Sequence, residues 1–427
     1  MARTRNRRSH GHTRRSPPTR QIKCRINRLG HQGDGIADID GRAVYIPYTL
    51  AGETVEAEVR GDRGELIEIT EAAPERIAPH CPKFGDCGGC AVQHATDKTY
   101  KDWKRGVVMA ALRNRDIDAP VAGLVDAHGA GRRRLTVHVT SERGRLVAGF
   151  NRRRGRAVVN LDACPLLAVD LHDAFRHCRA IADAVGDRRR DLDIRLTATD
   201  TGLDVDVRGL GDMGLAEHEA LAAWAAASDF ARLTVNGEPL AERRTPVLRM
   251  DGITLMPPPG GFLQATADGE AVLASLVLGA VPTDGLVADL FCGVGPFALR
   301  LAARQPVVAM DSDRPALAAL DRAVRMTSGL KPIRVERRDL YDQPLQADEL
   351  IDMAAVVFDP PRTGAEVQAA ALAESEVPIV VGVSCNPVTF ARDAEMLIDG
   401  GYRLAGVTPV DQFRHAAHVE LVGIFQR

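Results

Sequence analysis

Aromatic residues are scarce in this chain, 4% of 427 residues, with two tryptophans and five tyrosines. That argues against reading RNA by stacking bases along an aromatic sheet and leaves arginine and backbone as the means of holding nucleic acid. Long apolar runs are missing too: no window reaches the ~18 consecutive apolar residues of a membrane span. The opening "MARTRNRRSHGHTRRSPPTR" lacks the apolar core of a secretory signal and the apolar stripe of a transit peptide, so the cytoplasm is the expected compartment. Net charge is almost absent at −2, but unevenly so. Residues 1–33 hold nine Arg, one Lys and no acidic residue, hence +10, which leaves −12 for the rest. A disordered basic arm drawn to phosphate is expected over residues 1–20, with a merely solvated tail as the plain alternative.

What is present fits a soluble globular protein: 45% of residues are hydrophobic and 26% charged, over a length that suggests about three domains. Residues 21–76 alternate polar and apolar in "IKCRINRL", "AVYIPY", "TVEAEVR" and "ELIEIT", separated by glycine-bearing turns. This spacing predicts a small β-barrel, a form that often holds single-stranded nucleic acid and can equally be structural. Eight cysteines in a chain expected in the cytoplasm point to metal binding or catalysis rather than disulfides. Three of them, Cys81, Cys87 and Cys90, follow C-x5-C-x2-C in "HCPKFGDCGGCAVQHA", where two glycines free the backbone to wrap an ion or cluster. Cys164, in "LDACPLL", is the best fourth ligand because of its Cys-Pro context, with Cys24 and Cys178 weaker candidates. Four thiolates do not by themselves separate zinc from iron–sulfur. A helix is predicted over about 92–112, then paired strands bracketed by Arg132, Arg133 and Arg134 and by Arg152, Arg153, Arg154 and Arg156. Such clusters can follow a phosphate backbone or simply be solvated. Residues 77–255 are thus expected to form a central α+β domain.

Over 256–427 strands and helices alternate from residue 285, predicting a Rossmann-like doubly wound sheet. "GLVADLFCGVGPFALRLA" supplies a strand ending near Phe291, a turn with Gly293 and Gly295, and a helix. The next strands end at Asp311, suited to ribose hydroxyls, at Asp339, suited to an adenine amino group, and at Asp359 within "DPPR". The fifth, Ile379 to Val383, delivers Cys385 immediately before a helix that carries Pro387 in its first turn and Asn386 as cap. The positive helix end is expected to lower the Cys385 pKa and make it a nucleophile, the alternative being a small buried hydrophobe. Two final strands read as an antiparallel hairpin, giving seven strands in all.

"DLFCGVGPF", "FDPPRTGA", "VSCNPVTFARD" and "HVE", in this order and preceded by C-x5-C-x2-C, resemble the S-adenosylmethionine-dependent RNA 5-methyluridine methyltransferases. The similarity covers about 21–427 and is closest to the 23S rRNA branch, which carries a TRAM barrel of OB-like form and a 4Fe-4S cluster. The resemblance implies a class I methyltransferase domain, cluster ligands at Cys81, Cys87, Cys90 and Cys164, and cofactor contacts at Gln264, Phe291, Asp311, Asp339 and Asp359, beside Gly293 of the turn. It implies Cys385 as nucleophile and Glu420 as general base. Thr266, Pro296, Arg414 and Ala416 depart from the family pattern, where asparagine, asparagine, proline and threonine are usual.

The chemistry explains the residue types. Carbon 5 of uracil is a poor nucleophile; a thiolate added at carbon 6 makes it electron-rich enough to take a methyl group, and a base must then remove its proton. Glu420 beside an apolar strand could have the raised pKa a base needs, or could be a surface carboxylate opposing His418. The cluster has no electron to supply and is expected to be structural. RNA is the expected partner, with no membrane and no obligate protein partner. The alternatives are a tRNA uridine methyltransferase, an amino-group methyltransferase, against which Arg362 and Cys385 argue, and a nonenzymatic RNA-binding or ribosome assembly factor.

Overall fold

The computed structural model describes residues 19–186 and 191–427. Most of the basic arm, residues 1–18, lies outside the described residues. Two units are distinct, one ending at Ile77 and one running from Ala78 to Arg427.

In the first unit, strict alternation in Thr54–Arg60 turns Val55, Ala57 and Val59 inward, where they meet Ile26, Ala37, Val44 and Ile46. Six strands close around this core, including Asp34–Ile39, which its glycine and acidic ends had hidden in the sequence. Gly35 is required there, because a Cβ would stand 2.0 Å from Thr49 Oγ1. The buried carboxylate of Glu53 is met by Arg76 Nε at 2.5 Å, tying the end of the barrel segment to its wall.

In the second unit, the central residues form a seven-stranded sheet from Arg134–Glu142 through Glu238–Glu242, with helices Ala174–Val185 and Leu215–Ala227 in its core cluster. Cys178 is fully buried in that core and acts as a small hydrophobe. The remaining sheet runs in the order Ile333–Arg337, Val307–Asp311, Leu286–Leu290, Met353–Phe358, Ile379–Ser384, Glu420–Gln426, Arg403–Asp411 and Val125–Asp126. It has eight strands rather than the expected seven. The eighth, two residues long, pairs in parallel with Val410 and Asp411 at the sheet edge. The first five listed in that order are parallel neighbours, whereas Glu420–Gln426 runs antiparallel to both of its neighbours.

Two apolar clusters cover the faces of this sheet. The predicted helix is Asp97–Arg113, started by the Thr96 side chain accepting from the Thr99 backbone N–H, and its Val108, Ala111 and Leu112 enter the same core as Phe358 and Phe390. The segment after the cysteine motif thus packs on the Rossmann-like sheet. Among the described residues no helix is long and apolar enough to cross a membrane.

Candidate active site

The glycine turn follows from local backbone demands. Phe291, Gly293 and Gly295 all have positive φ, and a Cβ on Gly295 would lie 2.4 Å from Leu320 Cδ1. The turn is pinned where Gly293 N–H donates to Asp311 Oδ2 at 2.8 Å and Ala298 N–H donates to Asp289 Oδ2 at 2.8 Å. Asp289 is fully buried, and burial pushes its carboxyl up to about 8. Asp311 is half-buried, while Asp339 lies exposed two residues past its strand and accepts from the Tyr341 N–H at 3.0 Å. The Tyr341 ring stands 5.5 Å from that of Phe291, so the ends of the first and third strands meet through these aromatics. This leaves an edge of acidic groups and backbone on which a nucleoside can lie.

Cys385 and Glu420 are brought together by register. Ser384 pairs with Leu421 on the last rung of the antiparallel ladder, so Cys385 and Glu420 are the next residue along each segment, and Glu420 is near enough to act on the thiol. Glu420 is buried, which excludes the surface-carboxylate reading, and Gln412 Nε2 donates to its Oε1 at 3.2 Å. Gln412 Nε2 also donates to Gln264 Oε1 at 2.7 Å, and Gln264 Nε2 donates to Asp359 Oδ2 at 3.1 Å. A chain of amides therefore fixes the two carboxylates. Burial raises the pKa of both, and each stands near enough to the other to add to the effect on Glu420.

The thiol departs from expectation. Asn386 does cap the helix, accepting from Val388 N–H at 3.1 Å, with Pro387 at its start. Yet burial pushes the Cys385 thiol up to about 11, Glu420 and Asp359 add to the rise, and Arg362 opposes it. One helix end is outweighed by desolvation and two carboxylates. Arg362 Nη2 donates to His418 Nε2 at 3.1 Å, and burial holds His418 down at about 4, so its imidazole is neutral and accepts.

Cys81, Cys87, Cys90 and Cys164 line one cavity, together with Arg132, Phe84 and Phe150. Burial raises the thiol pKa of Cys87 and Cys164 and pushes Cys90 up to about 12, and the sulfurs are close enough to act on one another. The motif's glycines serve the wrap: Gly88 N–H donates to Asn151 O at 2.9 Å, where a Cβ would strike that oxygen at 2.7 Å. Among the described residues no group of three or more His, Cys, Asp or Glu is disposed to hold a metal ion. All eight cysteines are free, with Cys24 in the barrel wall.

The three consecutive arginines are not a solvated phosphate track. Arg133 pairs with Glu270 at 2.6 Å and donates to Gln264 O, Arg134 stacks 4.5 Å over Phe262, and Arg132 lies 5.4 Å over Phe413. Arg152, Arg154 and Arg156 remain exposed. Thr266 is a buried helix cap, accepting from Gly269 N–H at 2.9 Å and donating to Ala127 O at 2.7 Å, so this departure keeps a structural role. Pro296 starts the helix after the glycine turn.

Sequence reasoning missed Gln412, Lys104 and Asp411, all buried. A polar pair closing the apolar strand in "TPVDQF" was a signal for two of them, and Lys104 one turn from Tyr100 was a weak signal for the third.

Residues 20–64 match the TRAM domain family and residues 271–427 the tRNA (Uracil-5-)-methyltransferase family. A protein of Brucella suis biovar 1 named as an uncharacterized RNA methyltransferase is 43% identical over 412 residues, spanning 96% of this chain and 99% of that protein. A 23S rRNA (uracil(1939)-C(5))-methyltransferase of Alkalilimnicola ehrlichii is 32% identical over 447 residues, spanning 98% of this chain and 99% of that protein. The solved structure of Pyrococcus abyssi tRNA (uracil-54, C5)-methyltransferase with S-adenosyl-L-homocysteine covers 95% of this chain and 100% of its own at 21% identity and a TM-score of 0.72, a likeness of fold.

Proposed function

The chain belongs to the RNA uracil-5-methyltransferases that carry a TRAM domain, S-adenosylmethionine-dependent enzymes, and on that premise we propose that it methylates carbon 5 of a uridine in 23S rRNA through a covalent bond from Cys385. The observation that carries the mechanism is the last antiparallel rung, Ser384 with Leu421, from which Cys385 and Glu420 are the next residues, the carboxylate near enough to act on the thiol. The Cys385 thiol loses its proton to solvent, its sulfur bonds to carbon 6, and the C5=C6 electron pair moves to carbon 5, which takes up the methyl group. S-adenosylmethionine supplies the methyl group when bound along Gln264, Phe291, Gly293, Asp311, Asp339 and Asp359. Glu420, its carboxyl held well above the ordinary range, takes the carbon 5 proton; the double bond re-forms and the sulfur leaves. Gln412 and Gln264 hold the two carboxylates through these steps.

These four thiols line one cavity and would hold the 4Fe-4S cluster that the resemblance to the 23S rRNA branch implies, although as they stand they form no ready metal site. The cluster's part is structural. Free thiols throughout the chain favour a reducing compartment, the cytoplasm. The choice of 23S rRNA over tRNA is supported by the 32% identical relative that is named for that RNA.

RNA carrying 5-fluorouridine tests the central step, since carbon 5 then has no removable proton. A denaturation-stable adduct mapped to Cys385, formed on a 23S rRNA transcript and not on tRNA, is the expected result. An adduct on tRNA alone overturns the assignment of substrate, and no adduct on any RNA overturns the thiolate mechanism. Anaerobically purified protein should absorb near the visible wavelengths of an iron–sulfur centre, and Cys90→Ser should remove that absorption.

A further inference from the structure

The loop 412–419 joins the last two sheet strands and leads from Gln412 to Glu420; the side chains of Gln412, His415 and His418 each reach a neighbouring segment. The grips on its main chain come largely from the helix Asp97–Arg113. Lys104, with no exposed surface, donates from Nζ to Asp411 Oδ1 at 3.0 Å, to Phe413 O at 3.3 Å and to His418 O. One ammonium thus grips both limbs of the loop, two residues before Glu420 on one side and at the strand end on the other. One turn earlier on the same helix face, the Tyr100 hydroxyl donates to Asp411 Oδ2 at 2.5 Å and accepts from His415 N–H at 2.8 Å. A second grip comes from the backbone directly after Cys90: Ala91 and Val92 N–H donate to His415 O at 2.6 and 3.1 Å.

A buried lysine at this place is costly to desolvate, and an apolar residue would pack a helix against a sheet as well. Three acceptors, two of them main-chain carbonyls of one short loop, show what its charge is used for. We propose that Lys104 is a positioning residue for the base step: by clamping both limbs of the 412–419 loop it holds the Glu420 carboxylate where it can take the carbon 5 proton. This rests on the covalent mechanism proposed above. In that step the carbon 5 proton passes to the Glu420 carboxylate, the C5–H electron pair forms the C5=C6 bond, and the C6–S bond breaks with its electrons returning to Cys385. Bond formation at carbon 6 and methyl transfer precede it and do not call on Glu420. Loosening the clamp therefore slows resolution more than attachment.

The test uses the full-length protein, a 23S rRNA transcript and radiolabelled S-adenosylmethionine in single-turnover reactions, with Lys104→Met and Tyr100→Phe compared with wild type and with Glu420→Gln as the benchmark. The expected result is a methyl-labelled, denaturation-stable protein–RNA adduct that accumulates in Lys104→Met and breaks down about tenfold or more slowly than in wild type, with KM for RNA and for the methyl donor within about twofold. Tyr100→Phe, which keeps the ring and removes the hydroxyl, should show the same signature more weakly and serves if Lys104→Met fails to fold. Adduct breakdown at the wild-type rate in the folded variants overturns the proposal, as does a loss of methyl transfer with no adduct. Failure of the wild-type enzyme to form any adduct with 5-fluorouridine RNA is the separate failure of the covalent mechanism.

Discussion

Cys385 stands at a helix start, where unpaired N–H groups favour a thiolate, and inside a pocket where burial and two carboxylates oppose one. The second influence wins. The position was legible, because an apolar run followed by Asn-Pro fixes a strand-to-helix switch; the titration was not, because Glu420 and Asp359 reach the sulfur only through the fold. In the free enzyme, alkylation of Cys385 by iodoacetamide should therefore be slow at pH 7 and rise steadily toward about pH 11, read from mass spectrometry of the modified peptide. Glu420 gives a second pH signature. Its folded pKa is raised above the ordinary 4.5, so its contribution to stability is full below that pH and is lost as pH climbs through the higher folded value. Glu420→Gln should accordingly raise Tm relative to wild type at pH 9 and lose that advantage at pH 4.5, by differential scanning calorimetry.

Among the elements, the parallel strands and their functional ends could be read in the sequence because each is a short apolar run that stops at a chemically distinct residue: Phe291, Asp311, Asp359, Cys385. Asp339 is less regular, lying two residues beyond Arg337. The strand Val125–Asp126 was illegible, since two residues carry no periodicity and take their order from the neighbouring edge. The amide chain through Gln412 was hidden for the same reason, its partners lying 148 and 8 residues away. The glycine turn offers a clean element-scale test. Gly295→Ala forces a side chain into positive φ against Leu320 and should cost about 1–3 kcal/mol of stability, together with weaker S-adenosylmethionine binding by calorimetry.

At the scale of the molecule, a small barrel precedes a large unit that contains all the proposed chemistry. The barrel's core, with Glu53 and Arg76 paired, belongs to its own residues. A chain beginning at Ala78 should therefore keep its fold and bind S-adenosylmethionine as the full chain does, while its affinity for RNA drops about tenfold or more and its salt dependence flattens as arginines are lost. Filter binding across a salt series would read both. Domain order could be seen in the sequence from the change of period, from two in the barrel to alternating strands and helices after 285. The seating of Asp97–Arg113 on the Rossmann-like sheet could not, because its buried face is matched to residues nearly two hundred or more positions away.

Since Cys385 and Glu420 each lie one residue beyond the final rung Ser384–Leu421, where they stand is a matter of counting residues. A single extra amino acid anywhere in 421–426 would turn the carboxylate to the far face of the sheet while leaving composition almost untouched. Insertions between 413 and 417 would leave that count unaltered but would break the grips on Phe413 and His415, so the hairpin tip is held to its length as firmly as the strands are.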